Sequence, residues 1–245
     1  MNAKKGSHSN PLKTIALLLA AVIVLTGLYV VWTLFSGTQV GQNVLTGLNW
    51  VFGVSSIQLW WFVTRSAGIV AYLLLWLSTV WGLAVPSKLL DPLLKRNYTF
   101  DFHEFISLLS LGFVALHIGV LLLDRYLPYS TWQIIIPFLS PYRPAWVGIG
   151  VITLYIMLLV TITFYMRNRI GAQKFRTIHY LSLVAFLGAT LHGLFAGTDS
   201  PLFSMRLMYQ ATSLSVIFLT VYWLVNKLQN KPKPAPANVR ARPTK

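Results

Sequence analysis

The sequence predicts an all-α integral membrane protein, built as a bundle of six transmembrane helices. Three observations carry that expectation. Hydrophobic residues make up 56% of the chain and charged ones only 10%. Six uncharged apolar runs reach the roughly 20 residues that a helix needs to cross about 30 Å of hydrocarbon. The runs lack the alternation of barrel strands, and only helices or closed barrels satisfy their backbones in lipid. They are Ile15–Phe35, Ser66–Val85, Phe105–Leu123, Trp146–Met166, Ile178–Ala196 and Leu207–Val225, the third extending N-terminally to take in His103.

The charge distribution supplies orientation. A net charge of +15 could suggest a nucleic-acid surface, but the twenty Lys and Arg are not arranged as one. All except Arg65, Arg125, Arg143 and Arg206 fall in the two tails and in the second and fourth connections. That asymmetry is the positive-inside rule, which places both termini in the cytoplasm of a multi-pass cell-membrane protein, plasma or inner. The basic balance then reports topology and some attraction to anionic lipid, and no nucleic-acid partner is expected. The chain has no cysteine. Disulfides, iron–sulfur clusters, thiolate-ligated haem and covalently attached haem are therefore excluded.

Taken in order, residues 1–12 form a basic cytoplasmic tail in which His8 has no apolar context. The membrane domain is expected over 13–227, with a Pro- and Lys-rich cytoplasmic tail over 228–245. The first run follows three lysines like a signal peptide, but it is too long for one, and no small-residue cleavage pattern follows it. An uncleaved anchor is expected. Ser36–Gln58 mixes glycines with Trp50 and Phe52, which suits an interfacial segment. Trp60 and Trp61 mark the outer end of the second run, and Arg65 follows one turn deeper. Its two readings are snorkelling to lipid phosphate and a cation held for a buried anion. Pro86 ends that helix. Arg125–Pro144 carries four prolines around Ile134-Ile135-Ile136, too broken for a crossing, so an interfacial or re-entrant lid is expected. No internal repeat stands out beyond the two histidine-bearing runs described next.

Imidazoles are costly in hydrocarbon unless paired or liganded, so intramembrane histidines mark functional sites. The third run carries His103 and His117, and the fifth carries His179 and His192. Both runs point from inside to outside, and separations of 14 and 13 residues give rises of about 21 and 20 Å. Four imidazoles thus fall at two levels, one from each helix at each level. Two b-type haems fit this pattern, one between His103 and His179, the other between His117 and His192, clamped between helices three and five. Gly112 and Gly188 each follow the first histidine of their helix by nine residues, where a missing side chain would admit a macrocycle. Phe113 and Phe186 are placed to fill the space between levels. For these four residues ordinary helix packing is the simpler reading. Zinc or copper would need three or four donors at one point. A proton relay would need acids along the path, whereas Asp91, Asp101, Glu104, Asp124 and Asp199 all lie near membrane edges. One feature of the spacing is awkward. At about 100° per residue, 14 positions nearly restore a side chain's direction but 13 leave it about 140° away, so the fifth helix must be distorted or tilted, or its haems must approach from different sides.

The histidine separations, with the segments RNYTFDFH, IHYLSLVAFLGATLHG and FVTRSAGIVAYLLL, resemble the ferric reductase-like transmembrane domain shared by ferric reductases and NADPH oxidases. The likeness covers most of runs two to five. It implies an inner haem on His103 and His179, an outer haem on His117 and His192, and Arg65 beside the outer haem's propionates. Two departures qualify it. Leu121 stands where superoxide-forming oxidases carry a further histidine. The flavin and nicotinamide domain that usually follows the sixth helix is not expected in a tail of this length, which resembles the haem subunit of bacterial methionine-sulfoxide reductase. That relative lacks the first helix-three histidine, which this chain keeps as His103.

The function expected from residues and resemblance together is transmembrane electron transfer by an oxidoreductase component. A cytoplasmic flavin reductase or a membrane quinol would be the donor. The acceptor would lie outside the cytoplasm, with ferric iron the first choice. The alternative is a haem-binding subunit feeding an extracytoplasmic partner such as a methionine-sulfoxide reductase. A non-redox transporter with structural histidines is a third class, and it predicts no haem spectrum.

Overall fold

The computed structural model describes residues 38–40, 42, 43, 46, 56–87, 94–122 and 129–229. The first apolar run, more than half of the Ser36–Gln58 loop, Asp91, Asp124, residues 125–128 of the expected lid, His8 and the two tails lie outside the described residues, apart from Leu228 and Gln229. Among the described residues there is no strand. The helices are α1 (Ser56–Ala84), α2 (Arg96–Leu121), α3 (Thr131–Ile135), α4 (Pro144–Tyr165), α5 (Arg167–Ile170), α6 (Ala172–His179), α7 (Leu181–Ala196) and α8 (Phe203–Gln229).

Among the described residues, five segments are long and apolar enough to cross a membrane: Trp60–Ala84, Arg96–Leu121, Pro144–Tyr165, Ala172–Ala196 and Phe203–Gln229. They correspond to the second through sixth runs. Several begin earlier or end later than the apolar runs themselves. Hydropathy ends where a charge appears, but backbone hydrogen bonding carries the helix on into the polar boundary turns. So Arg65 lies inside α1, α2 begins seven residues before His103, and α8 continues two residues into the stretch expected as tail. Pro144 opens α4 at its first helical position, where a missing N–H costs nothing.

Packing divides the bundle into two helix pairs. α2 lies against α1, and α7 lies against α4, while α8 packs mainly on α1. Small residues permit the close approach. Ser110 is fully buried and donates to the Ala71 carbonyl at 3.0 Å, joining α2 to α1. On the other pair, a Cβ at Gly188 would strike Thr153 of α4. The centre is filled by Tyr72, whose ring stacks on Phe186 at 5.8 Å and meets Tyr209 edge-on at 4.9 Å. Its hydroxyl sits 2.6 Å from Thr212 Oγ1 and 3.3 Å from Thr190 Oγ1. Tyr72→Phe is expected to lower stability by about 0.6–1.7 kcal/mol, the range of interhelical hydrogen bonds in lipid, as read by denaturation in mixed micelles.

The expected lid has structure of its own. Ser130 and Gln133 form a reciprocal capping box that starts α3, two otherwise unsatisfied donors being met at once. The Tyr155 hydroxyl of α4 donates to the Ile135 carbonyl, tying the lid to the bundle. Phe138 takes a left-handed backbone (φ 69°) and lays its ring where a side chain on Gly148 would sit.

Candidate functional site

The four histidines meet in the two pairs that their heights predict. His103 and His179 have ring centroids 6.0 Å apart with planes at 80°. His117 and His192 stand 6.3 Å apart at 77°. α2 packs mainly on α1, and α7 on α4, and the imidazoles meet across the space between the two pairs.

Hydrogen bonds at the back of each ring decide which nitrogen faces forward. His117 Nδ1 lies 2.7 Å from the Thr64 carbonyl, to which it can only donate. The Thr64 hydroxyl in turn donates to the His117 carbonyl at 2.7 Å. His192 Nδ1 donates to the Trp146 carbonyl at 3.0 Å. Both rings are thus held with the lone pair on Nε2, the tautomer a metal ligand needs. For His103 the assignment runs through two serines. Ser107 Oγ donates to the His103 carbonyl at 2.7 Å, so Ser78 Oγ, 2.6 Å away, must donate to Ser107. His103 Nδ1, at 3.4 Å, then donates to Ser78. His179 differs: its Nδ1 is buried and has no hydrogen-bond partner among the described residues.

Glycines bring three of these rings against helix backbone. A Cβ on Gly68 would stand 3.0 Å from His117 Nδ1, and one on Gly82 would stand 3.0 Å from His103 Cε1. On Gly150 it would stand 2.6 Å from His192 Nδ1. The pattern is one grip used three times. A helix offers an acceptor at one residue (Thr64, Ser78, Trp146), and four residues later a glycine lets the ring lie against it. In α1 the grip recurs as Thr64–Gly68 and Ser78–Gly82, 14 residues apart, the same separation as His117 and His103 on the antiparallel α2. This repeat was overlooked in the sequence; its legible signal is a hydroxyl residue and a glycine at i and i+4, recurring at the histidine spacing.

The glycines singled out from the sequence behave otherwise. Gly112 has nothing within 4 Å of a built Cβ and lies on an exposed face of α2. Nine residues turn a helix by about 900°, half a revolution off the His103 face, so Gly112 looks away from the gap. Gly188 serves α7–α4 packing. Phe186 is buried in the core between the two levels, and Phe113 is half-buried.

The awkward 13-residue separation has a local cause. The segment is not one regular helix: α6 ends at His179 and α7 begins at Leu181. At the joint the Leu183 N–H donates to the Tyr180 carbonyl at 3.1 Å, an i→i+3 bond. A 3₁₀ turn advances about 120° per residue against about 100° in an α-helix, which moves His192 toward the direction of His179.

Between α1, α2, α4 and α7 lies a cavity of about 520 Å³. His117 and His192 line it, with Gly68, Gly150 and Leu121, and with Gln133 and Ile134 of the α3 segment. Arg65 and Asp199 also line it and form an ion pair. The sequence treated Asp199 only as an acid at a membrane edge; its partner is the arginine. The Arg65 guanidinium also lies 3.7 Å from the centroid of the Trp61 ring. Its Nε is buried with no hydrogen-bond partner among the described residues, a donor left over inside the cavity wall. On the other level, the Tyr165 hydroxyl donates to Glu104 at 2.8 Å, joining α4 to α2 beside His103.

The donor set and spacing can be tested against a metal between the rings. With metal–nitrogen bonds of about 2.0–2.1 Å and about 1.2 Å from nitrogen to ring centre, trans imidazoles on one metal have centroids about 6.4 Å apart. The observed 6.0 and 6.3 Å fit. Among the described residues no three His, Asp or Glu side chains gather at one point, so each site offers two imidazoles only. Edge-on aromatic packing also spans about 4.5–7 Å, but it gives no reason to bury two polar ring pairs in hydrocarbon. The cavity volume falls within the roughly 300–1,000 Å³ of cofactor sites. The ring separations at both levels suit a metal held by two imidazoles, and at the His117–His192 level the cavity is also of a size for a cofactor such as haem. Comparisons of the chain with protein-family models, with curated proteins and with solved structures found no match.

Proposed function

We propose that the protein is the haem-bearing membrane component of an oxidoreductase, carrying electrons across the bilayer from a separate donor to an extracytoplasmic acceptor. The observation that carries this reading is the pairing of all four intramembrane histidines at a metal-bridging distance on two levels. His103 and His179 would hold an inner b-type haem, and His117 and His192 an outer one. Haems held by these residues would supply reversible one-electron exchange. The chain's own residues do the rest. The Thr64 and Trp146 carbonyls fix two ligand tautomers and orient the rings. Tyr72 and Phe186 exclude water between the levels with stacked rings. Arg65, which lines the cavity, pairs with Asp199 and lies on the Trp61 ring, suits an anionic group there, as the resemblance implies for a propionate. A cytoplasmic flavin reductase or a membrane quinol suits the inner side, and ferric iron is the favoured outer acceptor.

The test is direct. Full-length protein from haem-replete cells should show reduced b-type spectra and about two haems per chain by pyridine haemochrome assay. A folded, haem-free preparation overturns the proposal.

A further inference from the structure

We infer that the two histidine pairs are unequal, and that His179 is the replaceable ligand, so that the inner site alone admits a small neutral ligand such as carbon monoxide. The inference rests on the haem reading above and goes beyond it.

Three observations separate His179 from the other histidines. The first is at the back of the ring: Nδ1 of His103, His117 and His192 each has an acceptor, whereas Nδ1 of His179 has none among the described residues. Such outer partners orient a ligating imidazole and raise its basicity, and removing one typically lowers metal affinity about 10–100-fold. The second is the cradle: Gly82, Gly68 and Gly150 place the other three rings against a neighbouring helix, whereas no described glycine has His179 among its nearest neighbours, the ring of His179 lying beside those of His103 and Phe175. The third is the backbone, since His179 is the last residue of α6, immediately before the break at Tyr180. A ring at the end of a short helical segment has less to hold it than one within α7, as His192 is.

The outer pair is opposite in each respect. Both rings donate to backbone carbonyls at 2.7 and 3.0 Å, and both lie on glycines. That pair is preorganised and stays closed. At the inner level His103 is anchored and His179 is not, so the exchange has a direction. With a haem held there, His179 would be the ligand that yields, exchanged one for one with the incoming neutral molecule and with no change in the iron's oxidation state.

The experiment uses full-length protein in detergent or nanodiscs, reduced with dithionite and exposed to carbon monoxide. One of the two haems is expected to give the carbon monoxide difference spectrum. That signal should persist in His117→Ala/His192→Ala and vanish in His103→Ala/His179→Ala. Haem transfer to excess apomyoglobin gives a second readout that needs no variant to fold well. It should be biphasic, with phases separated about 10–100-fold and the carbon monoxide-reactive haem leaving first. A two-haem protein in which neither haem binds carbon monoxide, or in which the reactive haem depends on His117 and His192, overturns this inference and leaves the haem reading standing. A chain that binds no haem overturns both.

Discussion

His117→Ala is expected to hold one haem where the native chain holds two, and adding His192→Ala should remove nothing further. The reason is the pairing. His117 and His192 face each other at 6.3 Å, and His103 and His179 at 6.0 Å, so on the proposed reading each pair would hold one haem and act as a unit. Residues that share one partner are non-additive, and the double variant reports the coupling directly. The complementary double, His117→Ala/His179→Ala, takes one residue from each pair and should leave no bis-histidine haem. Loss of an axial ligand costs more than the 10–100-fold attached to its outer partners, so occupancy and not merely potential should change. The pyridine haemochrome ratio, read beside the reduced spectrum, counts what remains. If His117→Ala/His103→Ala removed a single haem and His117→Ala/His192→Ala removed two, the pairing of α2 with the α6–α7 segment would be wrong.

Much of this arrangement was legible in the sequence, because depth in a membrane is set by residue count. Rise per residue placed His103 level with His179 and His117 level with His192 without reference to packing. The five described spans were likewise announced by apolar length, with ends shifted into boundary turns that hydropathy does not see. Rotation was harder to read. The 13-residue separation looked inconsistent until the break at Tyr180 appeared, and nothing in the Ile178–Ala196 run marks Tyr180 as a joint. Ion pairing was also hidden. Asp199 lies more than a hundred residues from Arg65, and only the turn between α7 and α8 brings them together. For the glycines, helix packing, the simpler reading, describes Gly188 against Thr153; a macrocycle contact at Gly112 lacks support because nine residues from a histidine lands on the far side of its own helix, and the close contacts to the histidines come from glycines on the neighbouring helix.

That last point yields a sharp prediction. Gly150→Ala is expected to empty the outer site, and Gly112→Ala to leave both sites filled. In α4 the new Cβ would lie 2.6 Å from His192 Nδ1, 2.9 Å from Cε1 and 3.0 Å from Cγ. All three approaches are inside normal contact, and they fall along the ring rather than at the tip of a flexible chain. The imidazole must move, and its 3.0 Å bond to the Trp146 carbonyl holds it in the position it has to leave. Losing that bond and the aim of Nε2 together should lower haem affinity at this site by about 10–100-fold or more. Helix propensity works the other way, favouring alanine over glycine by up to about 1 kcal/mol, so a loss cannot come from a weakened helix. Gly68→Ala and Gly82→Ala, each with a nearest approach of 3.0 Å to its histidine, should give smaller losses, at the outer and inner site respectively. Gly112 has open space around the added atom. Haem stoichiometry in the four variants, with circular dichroism to confirm helix content, ranks them. Equal occupancy in Gly150→Ala and Gly112→Ala would show that the grip of α4 on His192 does not hold the outer ligand in place.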